Sequence, residues 1–411
     1  MTQSINSTRL FNASCFALIT TAFSFSIRAG ILPQLGAEFN LTAEQLGFIN
    51  SMFFLGFPIS MVIGGLVYHT VGPRVIMQVA FVCHTIGILM TIYSGGYAGL
   101  LISTFFIGIG NGCTEAACNP MIADAYSGIK MNKMLNRFHM WFPGGIVVGS
   151  LISKFMTDFG FGWQEQIWVI MIPTVVYVFL FWGQAFPKPH IDGVSSIGEN
   201  IKAMFTPLFL FIFVCMMFTA ISEFGPQQWT GLIMSKSGAS PMLILALVTG
   251  LMAVMRFFAA PVVKLLGATG ILWTASVLTA IGIYLFSTVT GPTAYLAAVI
   301  FALGVGLFWP TMVGFVAQNV PLSGALGMSI IGGVGMLSTA IFQPIIGGWI
   351  DADTAEKAAL GLTGDELELA AGQATLSTMI AFPAILIVAF GILFFWMKGK
   401  KPVASSSVAA H

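Results

Sequence analysis

Charge is scarce in this chain: of 411 residues only 8% are Asp, Glu, Lys or Arg, and 57% are hydrophobic. A soluble domain carries roughly a quarter of its residues as charges. This chain cannot cover a water-facing surface, so its solvent is a lipid bilayer. Basic tracts are absent beyond the tail lysines and the formal net charge is +1, which leaves no footprint for a nucleic-acid partner. Cysteine is sparse as well. Cys15, Cys83, Cys113, Cys118 and Cys215 lie within apolar segments and form no CxxC pair, a pattern of buried small residues rather than of a disulfide framework or a metal site. GxSxG, HExxH and P-loop motifs are missing, and no His/Asp cluster marks the loops, so the reading is of a non-enzyme without cofactor or metal. No small-residue cleavage site follows the first apolar run, which reads as a retained span rather than a secretory signal.

What is present is a succession of long apolar runs. A membrane span needs about 20 mainly apolar residues. Breaking the chain at polar, charged and Gly/Pro clusters yields twelve segments, at 10–35, 44–68, 75–94, 98–125, 137–157, 164–186, 205–233, 242–263, 271–290, 294–318, 325–350 and 375–397. Lipid cannot satisfy exposed backbone groups, so such runs are helices. With the N-terminus in the cytoplasm, the inside segments hold Arg9, Arg74, Lys130, Lys133, Arg137, Lys188, Lys202, Lys264, Lys398, Lys400 and Lys401. The outside loops hold only Lys154, Lys236 and Lys357. That positive-inside bias places both termini in the cytoplasm and 351–374, an acidic loop with the makings of a short surface helix, outside. Asn40 opens an Asn-Leu-Thr sequon on an outside loop.

The chain also repeats itself. GGLVYHTVGPR, between spans two and three, answers to AAPVVKLLGATG between spans eight and nine, with Gly72 and Gly267 in register, 195 residues apart. IGNG in span four answers to LGVG in span ten, with Gly112 and Gly306 194 residues apart. The expectation is an all-α integral membrane protein of twelve transmembrane helices in two pseudo-symmetric six-helix bundles. Residues 1–186 form the first, 187–204 a cytoplasmic linker, 205–397 the second and 398–411 a cytoplasmic tail.

Two such halves, related by an axis along the membrane normal, resemble the major facilitator superfamily. Its loop signature after the second span is matched by Gly65, Gly72 and Arg74, with His69 where an Asp is usual; a neutral imidazole attracts Arg74 only weakly. These residues, with Asp124 and Arg137 as expected salt-bridge partners, are the candidate inside gate. Within the superfamily, span four (Gly108, Gly110, Gly112, Glu115, Asn119, Pro120) and span five (LNRFHMWFPGGIVVGSLI) are similar to the fucose–galactose–proton symporter family. The fucose permease of that family carries an acid on its first span, where SIRAGILP offers Arg28 instead. The resemblance implies a monomeric symporter of the bacterial inner membrane. It would move a monosaccharide with a proton, or with a sodium ion, by alternating access.

Asn111, Glu115 and Asn119 recur at i, i+4, i+8 and share one face of span four. Facing lipid would cost each group kilocalories, so the stripe faces the bundle interior. It either walls a cavity in which Glu115 exchanges a proton, or bonds the backbone broken at Pro120 and pairs with Arg28. Four charges fall within span cores: Arg28, Glu115, Glu223 and Arg256. The repeat offset sets Arg28 and Glu223 at equivalent depths, and an arginine in a membrane needs a carboxylate, a carbonyl or an anionic ligand. Glu115 and Glu223 are the carboxylates on offer. Arg256, near a helix end, reads as a snorkelling anchor; His84 reads as an interface or loop residue. Trp309, in the register of Glu115, joins Gln227 as a candidate substrate contact, with Trp229 an interfacial-belt alternative. His139 and Trp141 on span five complete the candidates. A monosaccharide suits the ring faces and amides. A small organic anion or anionic sugar, with Arg28 as counter-charge, is the alternative reading. A non-transporting receptor, for which no soluble sensing domain is present, is the alternative of another class.

Overall fold

The computed structural model of the chain describes residues 5–126, 128–187 and 197–399. Half of the expected linker, 188–196 with Lys188, and the tail from 400 on with Lys400 and Lys401 lie outside the described residues. Among the described residues every regular element is helical. The first part of the chain forms α1 (Ser7–Phe39), α2 (Ala43–Ile92), α3 (Tyr97–Ala125), α4 (Gly128–His139), α5 (Trp141–Asp158) and α6 (Trp163–Phe181). The second forms α7 (Ile197–Met204), α8 (Pro207–Ile233), α9 (Pro241–Phe257), α10 (Ala259–Phe286), α11 (Thr293–Val305), α12 (Phe308–Asn319), α13 (Gly324–Ala359), α14 (Gly364–Met379) and α15 (Ala381–Met397). Nine helical stretches among the described residues are long and apolar enough to cross a membrane.

Helix α2, at 50 residues, would extend about 75 Å if straight, against roughly 30 Å of hydrocarbon. It is not straight. Gly72 breaks it with φ 77° and ψ 162°, and Gly267 breaks α10 with φ 63° and ψ 173°. A positive φ at nearly extended ψ is a conformation only glycine adopts cheaply. The two glycines that the repeat sets in register are thus the two turning points. The second register pair behaves differently. Gly112 lies within unbroken α3, whereas Gly306 stands in the gap between α11 and α12. The stretch 351–374 also departs from expectation: α13 runs on to Ala359 and α14 starts at Gly364, leaving a turn of four residues.

The halves of the chain meet at the end where α1 passes into α2. There α2 and α13 run antiparallel, with Ala43 against Gly347, Gly47 against Gln343 and Pro58 beside Gly333. A Cβ on Gly47 would lie 2.5 Å from the Gln343 carbonyl oxygen, so the backbones touch. The Asp351 carboxylate closes the same end, accepting from the backbone N–H of Ala43 (2.9 Å) and of Glu44 (2.8 Å). The large buried core draws on both halves. A second core, including Leu10, Tyr68, Met121, Phe138 and Tyr177, draws only on residues before 187 and occupies the end where α1 begins. The halves are therefore joined at one end, and at the other the first half packs on itself.

Candidate functional site

Arg28 stands where the halves cross. It is 6% exposed, and its Nη2 donates to Gln228 Oε1 on α8 at 3.1 Å. The guanidinium carbon lies 3.7 Å above the Phe53 ring and 5.9 Å from that of Phe54, a cation–π arrangement strengthened by exclusion of water. Gln228 Nε2 in turn donates to the Phe25 carbonyl at 3.3 Å. Nε and Nη1 of Arg28 have no partner, and among the described residues no carboxylate reaches it. Aromatic rings surround this point. Phe25 meets Phe54, Phe142 and Phe224 with centroids 5.7–6.1 Å apart, and Phe224 meets Trp309 at 5.9 Å.

The expected carboxylate partners of Arg28 are engaged elsewhere. Glu115 is half-buried and accepts at Oε2 from Asn119 Nδ2, 2.5 Å away. This contact joins the i, i+4 neighbours that the spacing on α3 sets on one face. Glu223, 2% exposed, faces Arg256 Nη2 at 3.8 Å, and its Oε2 is unpartnered. Arg256 Nε donates to the Gly306 carbonyl at 3.0 Å. The helical donor for that carbonyl would be residue 310, which is a proline without an N–H, and this explains why a cation is drawn there. Arg256 is therefore not a snorkelling anchor. It ties α9 to α8 and to the broken helix.

The span-four stripe divides. Asn111 is fully buried, donating to Ser24 Oγ at 3.3 Å and hydrogen-bonded to His84 Nε2 at 2.9 Å, while His84 Nδ1 pairs with the Tyr177 hydroxyl at 3.1 Å. His84 is thus an interior residue of the first half, not an interface or loop residue. Glu115 and Asn119, one and two turns further, remain half-buried. Gln227 is buried and donates to Met252 Sδ at 3.7 Å. Trp229 is fully buried and no belt residue; Trp309 is half-buried. His139 and Trp141, at the junction of α4 and α5, are exposed. Of the gate candidates, Gly65 and Arg74 are exposed, as is Arg137, and Asp124 accepts from the Tyr68 hydroxyl at 2.8 Å. The structure thus brings together Arg28, Gln228 and the phenylalanine cage, of which the sequence singled out only Arg28. Phenylalanine is too frequent in this chain for a cage to stand out, with 37 in all.

The niacin/nicotinamide transporter NiaP of Bacillus subtilis (strain 168) is 23% identical over 250 residues, 58% of this chain and 61% of that protein. The hexuronate transporter of the same organism is 25% identical over 182 residues, 42% of this chain and 43% of that protein. The chain thus spans less than two thirds of the length of either relative. The crystal structure of a D-xylose–proton symporter superposes with a TM-score of 0.73 at 14% identity, covering 92% of this chain and 97% of that one, a likeness of fold. The sequence profile of the Major Facilitator Superfamily matches residues 14–343, four fifths of the chain. Such a match, carried by an all-helical membrane architecture, makes the chain a member of the Major Facilitator Superfamily.

Proposed function

We propose that the protein is a secondary active transporter for a small organic anion, with Arg28 as the counter-charge. One observation carries this reading: a buried guanidinium in the central crossing with, among the described residues, two unpartnered nitrogens and no carboxylate. A cation out of water requires an anion or strong acceptors, and Gln228 with one ring face is partial compensation. The relative named for hexuronate supports it, since hexuronates carry a carboxylate; the relative named for niacin/nicotinamide supports it through niacin alone, nicotinamide being a neutral amide. In this reading twelve crossings form two six-helix halves, α2 and α10 each supplying a hairpin at its glycine. α4 continues into α5, α9 into the start of α10, α11 into α12 and α14 into α15. Both termini are cytoplasmic, the membrane is a bacterial inner membrane, and the monomer alternates access with proton coupling at Glu115.

The neutral-monosaccharide reading, drawn from the likeness of spans four and five to fucose–galactose–proton symporters, keeps one support. Glu115, Asn119 and Trp309 are all half-buried on α3 and α12. It leaves Arg28 without a counter-charge and ranks second. Thermal unfolding of the purified protein with nicotinate, D-glucuronate and D-glucose decides between them. A ligand at a hundredfold excess over its Kd stabilises by about 2.7 kcal/mol. Stabilisation by a carboxylate, lost in Arg28→Gln, is expected; stabilisation by D-glucose alone overturns the anion.

A further inference from the structure

The seam between α2 and α13 holds polar atoms with nothing to bond. Asn50 and Gln343 are both fully buried, and among the described residues both amide atoms of each lack a hydrogen-bond partner. Their positions are about one helical turn apart along the seam. Gly47 packs against Gln343, so Asn50 follows one turn further along α2. Side chains on a helix lean toward its N-terminus. In this antiparallel pair Asn50 leans back toward Gly47 and Gln343 leans toward Asn50. Arg28, with two nitrogens likewise unpartnered, stacks on Phe53, one turn below Asn50 on the same helix.

A permanent interface would be better served by apolar residues here, because an amide buried without partners loses its water for no return. The same groups lose nothing in a seam that opens, since they are wetted or bound each time it does. We propose that Asn50 and Gln343, together with Arg28, form the binding position on the opening side for a hydroxylated carboxylate of the sugar-acid class. The guanidinium takes the carboxylate. Each amide offers donors and an acceptor, which is what vicinal hydroxyl groups require, and the Phe53 and Phe54 rings cover the C–H face. An aromatic acid without hydroxyls would satisfy Arg28 and leave both amides stranded, a mismatch that buried polar sites reject strongly.

This inference rests on Arg28 serving an anion, and the test separates the two claims. The full-length protein is titrated with D-glucuronate and with nicotinate, read by thermal shift, as wild type and as Asn50→Leu, Gln343→Met and Arg28→Gln. The first two substitutions keep nearly the same number of side-chain heavy atoms and remove orphaned polar ones, so ligand-free melting is expected to hold or rise. D-Glucuronate affinity is expected to fall about tenfold in each, and nicotinate affinity to stay. Unchanged D-glucuronate affinity in both amide variants overturns the sugar-acid position alone. Wild-type protein that binds nicotinate more tightly than D-glucuronate does the same, and needs no variant to fold. Arg28→Gln protein that binds D-glucuronate as the wild type does overturns the anion reading itself.

Discussion

Arg256, not Arg28, is the arginine that meets Glu223: Nη2 stands 3.8 Å from Oε1, with Arg256 Nε on the Gly306 carbonyl. The 195-residue offset read from the sequence raises the expectation of equivalent positions for Arg28 and Glu223, and equivalence is not contact. Each finds its partner by what its own helix faces. Arg28 looks across the crossing to Gln228; Glu223 looks within its own half to Arg256.

That division is measurable by double-mutant cycles on thermal stability. Glu223→Gln and Arg256→Gln should be strongly non-additive, coupled by about 1–3 kcal/mol, because removing either partner already strands the other. Arg256 is a quarter exposed, which places the coupling in the lower part of that range. Glu223→Gln with Arg28→Gln should be additive within roughly 0.5 kcal/mol. Coupling of the second pair as large as the first would contradict the arrangement.

The contrast marks what the residues alone disclose. Gly72 and Gly267 were legible as turning points because a repeat in register and a glycine's φ are local properties. The shared face of Glu115 and Asn119 was legible for the same reason, being one turn of one helix, but the sequence pointed to Arg28 for a partner and not to their own hydrogen bond. Arg28–Gln228 joins residues 200 apart and depends on how α1 and α8 rotate against each other, which periodicity in a uniformly apolar helix does not fix. Asn111 shows the cost of that degeneracy. It shares the stripe of Glu115 yet turns to Ser24 and His84 inside the first half. Asp351 was hidden by composition: counted with a run of loop acids, it belongs to a helix that continues past the apolar segment.

Proton coupling at Glu115 has a direct test. Glu115→Gln keeps an acceptor for Asn119 Nδ2, so the local geometry survives, but an amide does not titrate near neutral pH. In reconstituted vesicles, exchange of labelled substrate across equal concentrations should persist. Uphill accumulation driven by a pH gradient should fall to equilibration. Undiminished accumulation would move the proton to another carboxylate, with Glu223, buried and half-satisfied, first in line.

The last prediction concerns what holds the joined end shut. Asp351 accepts from the N–H groups of Ala43 and Glu44, the first residues of α2, so its charge also meets the positive end of that helix. Asp351→Asn keeps one acceptor and loses the charge, weakening the closure by about 1 kcal/mol. If the closed and open forms are within reach of each other, that is roughly a fivefold gain in the open population. Gly347→Leu acts by bulk at the same place. Its side chain would collide with the Ala43 carbonyl, backbone that cannot yield without parting the helices. Spin labels on Leu41 and Leu360, read as a distance distribution, should show a longer population that grows in Asp351→Asn and dominates in Gly347→Leu. Transport should slow in the first and stop in the second, since a seam that cannot close cannot alternate. A distribution unmoved by Gly347→Leu, in protein that still melts cooperatively, would mean that this end never opens at α2 and α13, and the moving seam would have to be sought elsewhere.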